Sequence, residues 1–414
     1  MKASIISVGT ELLTGRVPDV SFLHIAQKLT DLGIDLAFRA TVGDDERQIE
    51  GVVKSALSWS DIVVVVGGLG SAPDDLTRRA VAEAFSRRLK IDDLLVVRVK
   101  ERLASSGKPM AGTQAKGAFA PEGSMPIENP VGTVPGFILE ERGKLLVALP
   151  DSLKEISLML GDSLVTFLKE RYRPKEFTKH RLLKACGVSA SEIMEAVGDL
   201  SKAGANPSLG LWTGLGEVGV RITASAPDFK SAQEIIEGIE SRVLERLGDY
   251  VYGTDSQTLE EVVGYLLDMR RLTIAAAESC TGGLLSHRLT SVSGSSRYFV
   301  GGITAYRNEA KMGLLNVPEA TLKERGEVSQ ETTLFMAEGV RKALGANLGV
   351  GITGIAGPTD GAPEKPLGLV YIALSHAGGT DCRKNNFSGS REEIKYLSSQ
   401  MALEMVRRFI LGVK

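Results

Sequence analysis

The sequence predicts an α/β protein built from three domains in series, and three observations carry that reading. The chain has 414 residues, more than one hydrophobic core ordinarily organises. Its first and last thirds alternate short apolar runs with amphipathic helical stretches, the pattern of a parallel sheet covered by helices. A middle stretch with a hairpin and one long helix reads instead as a small α+β connector. The expected domains are 1–170, 171–254 and 255–414.

In the first domain Ala3 to Val8 reads as a buried strand. Ser21 to Leu32 follows as a helix with Phe22, Ile25, Ala26 and Leu29 on one face, and Gly33 stands where a helix C-cap belongs. Leu36 to Val42 is a second strand, Gln48 to Trp59 a helix, and Asp61 to Val66 a very apolar central strand. Gly67-Gly68-Leu69-Gly70 forms the turn after it, a helix starts near Leu76, and Leu145 to Leu149 is a further strand.

The connector shows a hairpin around Thr213 to Gly219, a strand to Ala224, and a helix from about Ser231 to Leu247. Ala232, Ile235, Ile236, Ile239, Val243 and Leu247 recur at helical spacing. Its basic residues are dispersed and no GxxG is flanked by Lys or Arg, which argues against nucleic-acid binding.

The third domain opens with a helix, Thr258 to Met269, and a strand, Leu272 to Ala277, that runs into Glu278-Ser279-Cys280-Thr281-Gly282-Gly283 and then a helix. A strand, a small polar turn and a helix put Ser279 on the carboxyl-end rim of a sheet, where open α/β folds bind ligands. The free N–H groups of the helix's first turn suit a phosphate or a developing oxyanion, although such glycine-rich turns are common without any function. Leu348 to Ile352 is another strand ending in a small-residue turn, Thr353-Gly354-Ile355-Ala356-Gly357-Pro358. Two such rims suggest one cleft. Between them a β-like run from Gly301 turns into a helix carrying Tyr306 and Lys311. A lysine whose pKa is lowered by burial can take a serine proton, so a Ser–Lys pair can replace Ser–His; the plain alternative is a solvated helix-surface lysine.

Composition narrows the function classes. A hydrophobic fraction of 43% with 24% charged residues is that of an ordinary globular protein. The balance of 49 basic against 51 acidic residues creates no field that would draw the chain to nucleic acid or a membrane surface. Cys186, Cys280 and Cys382 are odd in number, widely spaced and form no CxxC, which points to a reducing compartment. No basic leader or membrane-spanning run is visible, so a soluble cytoplasmic protein without membrane partners is expected.

In this order and spacing, ESCTGGLL, SVSGSSRYFVGGITAYRNEAKMGLL, TGIAGP and EKPLGLVYIAL resemble the C-terminal domain of the CinA family, competence- and damage-inducible protein A, over residues 255–414. The resemblance implies hydrolysis of nicotinamide mononucleotide to nicotinic acid mononucleotide and ammonia, without a cofactor, with Ser279 as nucleophile, Lys311 as its base and Tyr306 in support. Turn N–H groups from Cys280, Thr281, Gly282 and Gly283 would hold the oxyanion. Thr353, Gly354 and Gly357 are candidates for the ribose phosphate, and Arg391, after Ser388-Gly389-Ser390, is a further one. Cys280 is the rival nucleophile, expected to pack as a small buried group. The family resemblance also implies a homodimer.

The first domain resembles the family's N-terminal domain, similar to molybdopterin-binding proteins, through Ile5-Ile6-Ser7-Val8-Gly9-Thr10-Glu11-Leu12-Leu13, Asp74-Asp75-Leu76-Thr77-Arg78, Asn129-Pro130-Val131-Gly132-Thr133 and Pro135-Gly136-Phe137. That implies a three-layer fold and metal-dependent ADP-ribose pyrophosphatase activity, with a divalent metal on Asp74, Asp75 and Glu11. The chain departs from the family pattern where Ser71-Ala72-Pro73 follows the glycine turn, where Pro150 is followed by Asp151-Ser152-Leu153-Lys154-Glu155, and at Pro18-Asp19-Val20-Ser21. The pyrophosphatase is therefore expected to be weak, changed or absent. The connector resembles the family's KH-type linker domain. A reading from another class is a non-catalytic nucleotide- or pterin-binding sensor linked to competence or DNA damage.

Overall fold

The structure, a computed structural model, describes residues 1–105, 117–161, 167–168, 171, 177–200, 202, 204–358 and 365–413. Residues 169–170 and 172–176, about the first expected boundary, and Glu364 of the last motif lie outside the described residues. The chain folds as two compact units, Met1–Lys179 with Ser225–Gln233, and His180–Ala224 with Glu234–Lys414.

In the first unit the strands are β1 (Lys2–Val8), β2 (Asp35–Val42), β3 (Ile62–Val66), β4 (Leu89–Ile91), β5 (Phe119–Pro121), β6 (Met125–Ile127), β7 (Gly136–Glu141) and β8 (Lys144–Leu149). Six of them form one sheet in the order β2-β1-β3-β8-β7-β6. Every residue of β3 is buried, because its alternate side chains feed two cores. Ile62, Val64 and Val66 meet Ile25 and Leu29 of the helix Val20–Asp31. Val63 and Val65 meet Ile49 and Val53 of the helix Glu46–Trp59 and Val81 of the helix Thr77–Ala84. Helices on both faces of one sheet make the three layers expected. Asp19 and Asp45 cap the first two helices, accepting from the N–H of Phe22 and Gln48, both at 2.9 Å, and Gly33 leaves the first of them at φ +72°.

The sheet is not wholly parallel. β7 runs antiparallel to β8 and to β6, because the two residues Arg142 and Gly143, at φ 50° and 75°, close a tight hairpin that permits no other pairing.

The strands β9 (Phe177–Ala185), β10 (Ser208–Gly214), β11 (Glu217–Ala226) and β12 (Val251–Thr254), in the order β10-β11-β9-β12, lie for most of their length in the second unit. It continues with β13 (Ile274–Glu278), β14 (Phe299–Thr304), β15 (Leu348–Gly354), β16 (Leu369–His376) and β17 (Gly379–Asn386), in the order β14-β13-β15-β16-β17. β13 is parallel to both neighbours, while β16 and β17 are antiparallel. The helices Leu259–Arg270, Leu284–Ser291 and Arg391–Leu411 cover one face through Val263, Leu289 and Leu403. Asn308–Leu315 and Gln330–Ala343 cover the other through Leu315 and Met336. Gly349 and Gly351 let the helix Gln330–Ala343 lie against the backbone of β15, since a Cβ there would come within 2.2 Å of Ala337 O and 2.6 Å of Thr333 O.

Residues 180–254 have a core of their own, built from Leu183, Ile193, Val220, Ile236 and Leu247, and are also joined to the residues that follow them. Cys186 and Tyr252 belong to the same core as Leu259, Leu403 and Val406. The buried pair Arg407–Glu404, at 2.7 Å, is tied to the carbonyl of Asp249 by the same guanidinium.

Candidate active site

Three parallel strand ends bring the predicted residues of the third domain into one region. Glu278 and Thr304 are register partners at the ends of β13 and β14, and Glu278 pairs with Ile352 on the other side. The chain beyond these positions stays joined: Ser279 N–H donates to Ile352 O at 3.0 Å and Ala305 N–H to Glu278 O at 2.8 Å. Ser279, Tyr306 and Thr353 thus follow adjacent strand ends, spaced about 4.8 Å from one strand to the next.

Lys311 is fully buried, on the first turn of the helix Asn308–Leu315. Its Nζ donates to Tyr306 O at 2.8 Å, and among the described residues no carboxylate forms an ion pair with it. Burial holds the amine below the ordinary lysine value, with Glu327 and then Cys280 pulling weakly the other way. The solvated-surface reading of Lys311 is thereby corrected.

Cys280 is buried in the core. Desolvation pushes its thiol up to about 12, opposed by the backbone N–H groups of Cys280 and Thr281 beside the sulfur. A thiol so disposed stays protonated at neutral pH and is a poor nucleophile. Thr281 Oγ1, two residues from Ser279, is buried with no hydrogen-bond partner among the described residues.

The helix-start donors are arranged otherwise than expected. Glu278, 1% exposed, folds its carboxylate over the start of the helix Leu284–Ser291. It accepts from the N–H of Gly283 (3.0 Å), Leu285 (3.1 Å) and Ser286 (2.8 Å) and from Ser286 Oγ (2.7 Å). Gly282 N–H goes to Ser279 O at 3.1 Å. The expectation that Gly282 and Gly283 donate to substrate is corrected: the positive end of the helix already holds an anion from its own chain. Glu278 is the residue that sequence reading passed over. An acidic residue ending a strand just before a helix without a Ser, Thr, Asp or Asn N-cap was the available signal.

Around this turn, Tyr306 is 58% exposed and its phenol oxygen accepts from Arg391 at 3.1 Å. Arg391 also donates to the carbonyl of Gly357. Tyr306, Gly357 and Arg391 therefore converge, and the phenol is directed to Arg391 while the Tyr306 carbonyl serves Lys311. Tyr306 lines an open concavity of about 550 Å³ with Thr304, Arg307, Glu309 and Ala310. Thr304 Oγ1 would lie 3.6 Å from a Cβ at Gly283, so this concavity borders the Ser279 turn. Two expected phosphate ligands are otherwise engaged. Thr353 is buried and its hydroxyl donates to Glu327 O at 2.9 Å. Gly354 is closed in by β16, where a Cβ would meet Val370 Cγ2 at 2.6 Å.

In the first unit Asp74 and Glu11 are exposed, and Asp75 accepts from Ala72 N–H at 2.6 Å. Among the described residues no group of three or more His, Cys, Asp or Glu is placed to hold a metal ion, so Glu11, Asp74 and Asp75 are not gathered into the expected cluster. Arg78 is buried and donates to the carbonyls of Leu69 and Pro135, locking the glycine turn. Asn129 organises its loop by accepting from Val131 and Gly132 N–H and donating to Val134 O and Glu155.

Comparison with known proteins follows this division. Residues 256–410 match the model of the CinA C-terminal domain, residues 4–170 that of a probable molybdopterin binding domain, and residues 180–253 that of the damage-inducible protein CinA KH domain. A CinA-like protein of Dictyoglomus turgidum is 41% identical over 413 residues, covering 100% of both chains. The chain belongs to the CinA family. A putative competence-damage inducible protein of Moorella thermoacetica is 41% identical over 99% of this CinA chain and 98% of that relative. Among solved structures, the protein CinA of Thermoplasma acidophilum is 34% identical, covering 41% of this chain and 96% of its own, with a TM-score of 0.37. This CinA member thus has a molybdopterin-binding-like N-terminal domain, a KH-type connector and a CinA C-terminal domain. None of its described helices is long and apolar enough to cross a membrane.

Proposed function

We propose that the C-terminal domain hydrolyses the carboxamide of nicotinamide mononucleotide to nicotinic acid mononucleotide and ammonia. The observation that carries this reading is Lys311, a fully buried amine held below its ordinary pKa in the region that follows the strand ends beside Ser279. A buried lysine without an ion-pair partner is costly unless its neutral form is used, and use as a base for a neighbouring hydroxyl gives it a purpose.

In the proposed reaction Lys311 Nζ takes the proton of Ser279 Oγ, and the oxygen attacks the carboxamide carbon. The oxyanion is met by the N–H groups of Cys280 and Thr281, the turn donors that Glu278 does not hold. As the C–N bond breaks, the Lys311 ammonium returns its proton to the leaving nitrogen and ammonia departs. Lys311 then deprotonates a water that attacks the acyl-serine, and as the acyl C–O bond breaks it passes that proton to Ser279 Oγ, releasing the acid and restoring both Ser279 and the neutral amine. Arg391, beside the Tyr306 phenol, is the cation for the nucleotide phosphate. Without Ser279 chemistry the same cleft would make the chain a nucleotide sensor, which would bind the nucleotide and release no ammonia.

Incubation of the full chain with nicotinamide mononucleotide is expected to release ammonia and nicotinic acid mononucleotide in equal amounts. Binding without ammonia release overturns the proposal. The pH profile carries a second expectation. Activity needs neutral Lys311, so kcat/KM rises with pH along one single-proton limb, with a midpoint below about 10.4, the ordinary lysine value. Because Glu327 raises the Lys311 pKa, Glu327→Gln moves that limb to lower pH.

The N-terminal domain is proposed to have weak or no ADP-ribose pyrophosphatase activity. Asp75 is engaged by the Ala72 N–H, and the carboxylates expected to hold a divalent cation are not clustered. Full-length protein with ADP-ribose and magnesium is expected to form little AMP and ribose phosphate, and rapid turnover would overturn this.

A further inference from the structure

Away from the Ser279 region, a cavity of about 420 Å³ opens between the free edge of β17, the helix Arg391–Leu411 and the connector. Arg383 and Lys384 on β17 and Arg408 on the helix line it, with Tyr250 and Gly187 from the connector. Arg383 and Lys384 are exposed, and among the described residues neither forms an ion pair. Two cations without carboxylate partners are notable in a chain whose overall balance is 49 basic to 51 acidic residues.

The one acid in the lining, Glu404, does not cancel them. It is 1% exposed, and both its oxygens accept from Arg407, at 2.7 and 2.9 Å, with Arg408 a further 3.7 Å away. Its charge is already matched inside the protein. What faces the cavity is a net positive wall, and Tyr250, 39% exposed, adds an aromatic face with the Arg408 guanidinium 5.6 Å from its ring centroid. The volume lies within the range of about 300–1,000 Å³ usual for small-molecule sites.

We propose that this cavity binds a phosphate-bearing small anion of nucleotide size, held by Arg383 and Arg408, with Lys384, the next residue of β17, adding positive charge from the other face of the strand. The ligand would touch Gly187 and Tyr250 of the connector as well as the C-terminal residues, so its binding stabilises the second unit as a whole. The site is separate from Ser279, Lys311 and Arg391 and does not depend on the proposed amidase reaction.

The test is calorimetric titration of the full chain with inorganic pyrophosphate at low and high salt. The double variant R383E/K384E is expected to lose one binding site per chain, or to weaken it about tenfold or more. R383K/K384R retains it, and wild-type affinity falls as salt rises. Arg391→Ala should leave this event unchanged, and R383E/K384E should release ammonia at the wild-type rate. Both charge-altered residues are exposed, and an unchanged far-UV circular dichroism spectrum checks the fold of the variant. Wild-type stoichiometry and affinity in R383E/K384E overturn the proposal. So do loss of the event in Arg391→Ala, absence of any pyrophosphate binding by the wild type, and binding of single-stranded RNA but not of pyrophosphate.

Discussion

Ser279→Ala is expected to release ammonia from nicotinamide mononucleotide at least about a thousandfold more slowly than the wild type, with its melting temperature little changed. The size follows from removing a nucleophile whose partners act as a unit, so that the remaining groups contribute only binding and oxyanion contacts. Lys311 requires a different substitution. Its side chain is fully buried, and alanine would leave a void that costs about 2–5 kcal/mol on its own. Lys311→Met fills the same space without a base and is expected to lose about 10²–10⁴-fold in kcat. Cys280→Ala supplies the contrast: a protonated, core-packed thiol can be removed at some cost in stability while turnover persists. Loss of ammonia release in Cys280→Ala together with its retention in Ser279→Ala would transfer the nucleophile to the thiol and sink the Ser–Lys reading.

What the sequence made legible, and what it did not, divides along physical lines. Strands buried on both faces, such as Ile62–Val66 and the stretch Ile274 to Ala277 of β13, declare themselves because every residue is apolar or small, and the helices beside them show their core face at i, i+3 and i+4. The antiparallel strands at one end of each large sheet were not anticipated. Their direction depends on local turn geometry at Arg142-Gly143 and on the return from β16 to β17, which an apolar run does not encode. Ser279 and Lys311 were visible as a motif, and the burial of Lys311 was open as a possibility. Which donors were free was not legible. A carboxylate at the end of β13 reads in sequence as one more acidic residue, and only the fold of the turn aims Glu278 at the next helix. The same holds for Thr353, whose hydroxyl is taken by a carbonyl distant in sequence, and for Arg391, where a loop and a helix start that lie far apart in the chain meet at Tyr306 and Gly357.

Glu278 carries the second large expectation. Its carboxylate has three backbone N–H donors and one hydroxyl donor, and the described residues offer it no lysine or arginine. It balances the positive end of the helix and joins that helix to the residue directly before Ser279. Glu278→Ala would strand several buried donors at once, at a cost of about 3–5 kcal/mol, a large part of the roughly 5–15 kcal/mol that holds a domain folded. A steep fall in melting temperature is therefore expected. Glu278→Gln separates folding from positioning. The amide keeps the shape and one acceptor oxygen, but turns an N–H₂ group toward an N–H donor, so the fold survives with the turn displaced. Small displacements at a nucleophile are costly, on the order of a hundredfold for 1 Å. Glu278→Gln should thus lower kcat about a hundredfold at little change in KM, since the phosphate and ring contacts are elsewhere. A Glu278→Gln protein with reduced melting temperature but wild-type kcat would confine this residue to a structural role, leaving the Ser279 turn positioned by its backbone bonds to Ile352 and Gly282.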